Sequence, residues 1–95
     1  MAAYIVATVQ IEDPERFAAY GKAIAGLSEK HGGERLLGGP VQEVLEGDGK
    51  VGERVVVSRF PDAESARAYI GSPEYRAAAI QREGAASVVI RLLVD

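Results

Sequence analysis

The sequence predicts an α+β fold, with elements in the order β-α-β-β-α-β. Three observations carry this expectation. Stretches of strand character recur at residues 3–11, 34–38, 54–60 and 88–94. Two helix starts built from Asp and Pro, Asp13-Pro14 and Pro61-Asp62, each follow a strand. Glycines stand where each helix should end: Gly32-Gly33, Gly71 and Gly84.

Residues 3–11 are rich in β-branched side chains, with Ala3, Ile5, Ala7, Val9 and Ile11 on one face. Tyr4, Val6, Thr8 and Gln10 occupy the other and are only partly polar. Asp13 is a good N-cap, and Pro14 suits the first helical position, where its missing N–H costs nothing. Phe17, Tyr20, Ile24, Leu27 and His31 then form a single stripe on one helix that runs to Gly32-Gly33. Gly21 and Gly26 weaken that helix by about 1 kcal/mol each relative to Ala. The second strand starts at Glu34, a bulge or bend is expected at Gly38-Gly39-Pro40, and Val41 to Glu46 continues extended. Gly47-Asp48-Gly49-Lys50 is a turn. Arg54 to Phe60 is the third strand, around Val55-Val56-Val57. The second helix carries Ala63, Ala66, Tyr69 and Ile70, and Ser72-Pro73 opens a further short helix to about Glu83. Val88 to Val94 closes the chain as the fourth strand.

A faint repeat supports two similar halves: Asp13-x-Glu15-x-x-x-Ala19-Tyr20 against Asp62-x-Glu64-x-x-x-Ala68-Tyr69. Two βαβ halves of this kind make the ferredoxin-like arrangement, an antiparallel four-stranded sheet with helices on one face. The 95 residues then form a single domain, 1–95. A solvated second face should alternate cleanly between apolar and polar side chains. Val55-Val56-Val57, Val88-Val89-Ile90 and Leu92-Leu93-Val94 do not. The expected partner is therefore a second copy, a homodimer joined face to face into an α/β barrel.

Composition excludes several classes. The net charge of −3 leaves no basic footprint for nucleic acid. No apolar run approaches the roughly 20 residues of a membrane-spanning helix. Without cysteine there is no disulfide, thiolate zinc site, iron–sulfur cluster or cysteine nucleophile. One histidine leaves any transition-metal site dependent on carboxylates, so neither metal nor cofactor is expected. Gly38-Gly39-Pro40 lacks the following helix of a dinucleotide fingerprint. Met1-Ala2-Ala3-Tyr4-Ile5-Val6 lacks the features of a signal peptide, which makes a cytoplasmic location the expectation.

Several local features, taken in order, resemble the DUF1330 family of the dimeric α/β-barrel superfamily. They are Asp13-Pro14, His31-Gly32-Gly33, Gly38-Gly39-Pro40, Glu46-Gly47, Arg54 with its valines, Phe60-Pro61, Ala66, and Ser72-Pro73-Glu74-Tyr75 followed by Arg82. The resemblance covers nearly the whole chain and implies the fold and the dimer. The family often carries Trp where Tyr69 stands. Superfamily relatives include cofactor-free monooxygenases, lactone isomerases, polyketide cyclases and haem-binding proteins, and fold alone does not choose among them.

The candidate catalytic residues are His31 and Arg54. His31 is the only side chain with an unperturbed pKa near neutrality. It reads either as a general acid or base at a pocket mouth or as a cation-favouring group at a helix C-terminus. Arg54 shares a strand face with Val56, Ser58 and Phe60, and its planar fork suits an anion. Arg82 follows Tyr75 by two helical turns. Either arginine holds a substrate or pairs with a carboxylate such as Glu46 or Glu74. Tyr20, Tyr69 and Tyr75 line a common cavity or are core aromatics with polar tips. Glu46 is an acid–base group or a surface carboxylate. Two functions follow. One is a cofactor-independent enzyme of monooxygenase, isomerase or cyclase type, acting on a small, hydrophobic, weakly anionic molecule. The other is a non-catalytic ligand-binding or structural dimer.

Overall fold

The computed structural model describes residues 1–95. Its elements are β1 (Ala3–Ile11), α1 (Pro14–Ile24), α2 (Leu27–Lys30), β2 (Glu34–Pro40), β3 (Arg54–Phe60), α3 (Ala63–Gly71), α4 (Pro73–Ile80) and β4 (Ala86–Val94). All neighbouring strands pair antiparallel in the order β2-β3-β1-β4. This is the ferredoxin-like order, with the two middle strands drawn from opposite halves of the chain. The molecule is a slab of 31 × 30 × 16 Å, one sheet thick and one helix layer thick.

Register fixes what each face holds. Ile5 stands opposite Ser58 and Leu92, Ala7 opposite Val56 and Ile90, and Val9 opposite Arg54 and Val88. These residues face the helices. The rows between them hold Val6, Val57 and Arg91, then Thr8, Val55 and Val89, and lie on the bare face.

Both halves of the repeat begin with a real cap. Asp13 Oδ1 accepts from the Arg16 amide at 3.2 Å, and Asp62 Oδ1 accepts from the Ser65 amide at 2.7 Å. From those caps, equal spacing delivers Tyr20 and Tyr69 to the core, each buried. Ser72 ends α3 and starts α4 with one hydroxyl: it donates to Tyr69 O at 2.8 Å and accepts from the Tyr75 amide at 3.1 Å.

Five local expectations are corrected. The first helix is not continuous to Gly32. It stops at Ile24, Gly26 turns left-handed at φ 80°, and a single turn, α2, resumes at Leu27. The weak point was a glycine with no Cβ to resist the break. The bulge falls at Leu36 rather than at Gly38-Gly39-Pro40, since Arg35 pairs with Ser58 and Leu37 with Val57. Pro40 is tolerated because β2 is an edge strand. Residues 41–46 form no strand; beyond Pro40 only Val41 extends the pairing, donating to Glu53 O at 2.7 Å. The helix opened by Pro73 ends at Ile80, and the last strand begins two residues earlier than expected, at Ala86.

Gly33 shows how tightly α2 joins the sheet. A Cβ there would lie 2.8 Å from the Phe60 ring and 2.8 Å from Ser28 O. Only glycine lets the chain pass that close. No helix is long and apolar enough to cross a membrane.

Candidate functional site

Between the helices and the sheet lies a cleft of about 390 Å³. Its floor is the helix-facing row of β1 and β3: Ile5, Ala7, Val9, Arg54, Val56, Ser58. Phe17, Tyr20 and Ile24 of α1 and Tyr69 and Tyr75 of α3 and α4 form its walls. Glu29 is the one carboxylate in the lining, and Arg35 and Arg54 are the two cations. Most of the surface is apolar with a few polar groups, the general character of small-molecule sites.

The tyrosine wall is a closed network. The hydroxyls of Tyr20 and Tyr75 share a hydrogen bond at 3.3 Å. Arg82 Nη1 donates to Tyr75 Oη at 2.8 Å, and its guanidinium lies 4.8 Å from the centre of the Tyr20 ring. The Tyr69 ring meets Tyr75 edge-on at 5.2 Å and stacks on Phe60 at 5.7 Å. Burial pushes the Tyr20 phenol well above its ordinary value of 10, and the hydrogen bond to Tyr75 pushes it further. Burial, then the neighbouring Tyr75 and Glu29, raise Tyr69 to about 12. Both phenols therefore stay protonated near neutrality and act as donors, not bases. Burial opposes the charge on Arg82, but its bond to Tyr75 and the two phenols around it outweigh that and hold it firmly charged.

The sequence candidates separate in space. Tyr20, Tyr69, Tyr75 and Arg54 all line the cleft. Arg82 stands behind the tyrosine wall, bound to Tyr75 rather than to Glu74. His31 is outside the lining, half-buried, with its ring 5.9 Å from that of Tyr69. Glu46 is exposed in the loop after β2 and touches none of the cleft. No group of three or more His, Asp or Glu side chains gathers that could hold a metal ion.

Arg35 and Glu29 were not among the sequence candidates. Glu29 gave no signal beyond its place on the first helical segment. Arg35 had one: the glycine three residues on. The bulge at Leu36 shifts the alternation of β2, so that Arg35 (opposite Ser58) and Gly38 (opposite Val56) share the helix-facing side. The guanidinium of Arg35 lies over Gly38, where a Cβ would overlap it.

A family model described as "Domain of unknown function (DUF1330)" matches residues 2–94. The chain belongs to the DUF1330 family. No curated protein matches it. Among solved structures, this DUF1330 chain is similar to a protein of unknown function from Rhodopseudomonas palustris, at 24 % identity and TM-score 0.75, over 97 % of this chain and 80 % of that one. It is similar to a dimeric ferredoxin-like protein of unknown function from Jannaschia sp. CCS1, at 15 % identity and TM-score 0.72, over the full length of both. It is also similar to SnoaB, a cofactor-independent oxygenase from Streptomyces nogalater, at 14 % identity and TM-score 0.68, over 99 % of this chain and 92 % of that one. At these identities the likeness is one of fold.

Proposed function

We propose that this protein is a homodimer whose subunits each bind a small, apolar, weakly acidic molecule in the cleft and stabilise its anion without a cofactor. The observation that carries the reading is a mostly apolar cleft holding two arginines whose side chains make no hydrogen bond within the chain. Arg16, Lys50 and Arg82 are the basic side chains that donate such bonds. Arg54 is the anion holder, the protonated phenol of Tyr20, backed by its bond to Tyr75, is the donor, and Glu29 is the proton acceptor of the lining. Proton removal to give an enolate or phenolate is the chemistry this set suits, and isomerisation, cyclisation and reaction with dioxygen all proceed from such anions. The fold likeness to a cofactor-independent oxygenase supports that class. His31 lies outside the cleft against Tyr69 and takes no part in this reading.

The dimer rests on the bare face. Leu37, Val89 and Leu93 project from it, 60 %, 48 % and 52 % exposed, beside the half-buried Val6, Val55 and Val57. An apolar patch of this kind marks an interaction surface, and a solved neighbour of the same fold is described as dimeric.

The test of the site uses 4-nitrophenol, whose colour reports its ionisation. Bound in the cleft it should ionise at lower pH than in water, and Arg54→Leu should remove the shift. An unshifted spectrum with saturating protein refutes the anion-holding reading. For the dimer, sedimentation equilibrium at micromolar concentration should give twice 10.1 kDa. The double variant Leu37→Glu, Leu93→Glu should give a folded particle of half that mass; a single-chain mass for the unaltered protein refutes it.

A further inference from the structure

We infer that the ligand carries a carboxylate, gripped jointly by Arg35 and Arg54 at the sheet side of the cleft. This rests on the small-molecule reading above and names the class of molecule. Four observations support it. Both arginines line the cleft, on adjacent strands: Arg54 begins β3 opposite Pro40, and Arg35 lies five residues before Pro40 on β2, opposite Ser58. The bulge at Leu36 turns Arg35 to the cleft side, and Gly38 leaves the space in which its guanidinium lies back along β2 toward the Arg54 end. Neither guanidinium joins the chain's own hydrogen bonds, whereas that of Arg82, beside the same cleft, does. The lining sets two cations against the one carboxylate of Glu29, so it is positive within a chain of net charge −3.

A lone phenolate needs one donor pair. Two planar forks aimed at one carboxylate offer N–H pairs to both its oxygens, the geometry in which arginine is strongest. Ser58, between Val56 and Phe60 on the floor, adds a hydroxyl beside Arg35. The rest of the lining, from Ile5, Val9 and Ile24 to the Tyr20 ring, suits an apolar ring system. The inferred ligand is thus an apolar, ring-bearing carboxylic acid, its acid group toward β2 and β3 and its body against the tyrosine wall.

The experiment titrates two near-isosteric probes calorimetrically into the intact protein: 2-naphthoate and 2-naphthamide. The naphthoate should bind about tenfold or more tighter, the scale of a charge-assisted fork. Arg35→Leu and Arg54→Leu should each bring the two probes to within about twofold of each other. Arg35 is exposed, so its loss leaves the fold intact, which circular dichroism checks. Gly38→Ala should weaken the naphthoate and leave the amide unchanged, because the new methyl displaces the guanidinium. Equal affinity of the two probes in the unaltered protein overturns the carboxylate fork while leaving the small-molecule cleft standing. Binding of neither overturns both. Discrimination that survives both arginine variants places the anion elsewhere and overturns the assignment.

Discussion

The cleft has two sides that use the same side chain differently. On the helix side, Arg82 is fixed between Tyr75 and Tyr20, whose hydroxyls bond to each other. On the sheet side, Arg35 and Arg54 reach the cleft with no partner in the chain. An arginine enclosed by phenols contributes to stability and is unavailable to a ligand. An arginine left without a bond costs little stability and is available. Position relative to the aromatic core, not residue type, separates the bonded cation from the unbonded ones.

The contrast is most easily broken at Tyr75, which is 1 % exposed and touches both neighbouring tyrosines. Tyr75→Ala should cost about 3–5 kcal/mol in denaturant unfolding, as for other buried aromatics. A cost below about 1 kcal/mol would mean the wall is not a packed unit. Gly33→Ala comes next, at about 1–3 kcal/mol, because its methyl would press on Phe60, the ring that backs Tyr69. Gly39→Ala, with open space around it, is the control and should be nearly silent. Arg82→Leu should cost about 1–2 kcal/mol, since it removes a charge-assisted bond from a partly exposed site.

Tyrosine titration sharpens the same contrast. Tyr69 ionises at about 12 in the folded chain against an ordinary value of 10, so between those values the unfolded chain has lost a proton that the native one keeps. The native state then binds more protons, and stability falls as pH rises through that window, while below 10 it is fully present. The denaturation midpoint should hold level through neutrality and drop above pH 10. Arg54→Leu should change stability by no more than about 0.5 kcal/mol, accompanied by loss of anion binding. A large loss of stability there would make Arg54 structural like Arg82 and erase the distinction.

Much of the fold was legible because it rests on local chemistry. Asp13 and Asp62 cap their helices by their own short side chains, and β-branched runs suit a pleated, half-buried surface. The tyrosine cluster was half legible: helical spacing puts Tyr20 and Tyr69 on inward faces, but their meeting with Tyr75 depends on how α1 and α4 pack. The break at Gly26 and the bulge at Leu36 were not. A glycine only permits a break, and the packing of Leu27 against the core decides that it occurs.

The sequence by itself determined the order of strands and helices, the caps, and the surplus of apolar side chains on the uncovered sheet face, because each follows from neighbours a few residues apart. Tertiary structure decided which arginine is bound and which is free, that His31 and Glu46 stand away from the cleft, and that Arg35 and Glu29 belong to it. Those outcomes depend on strand register and helix packing across long chain separations. A one-residue bulge is enough to move a side chain from one face of a sheet to the other.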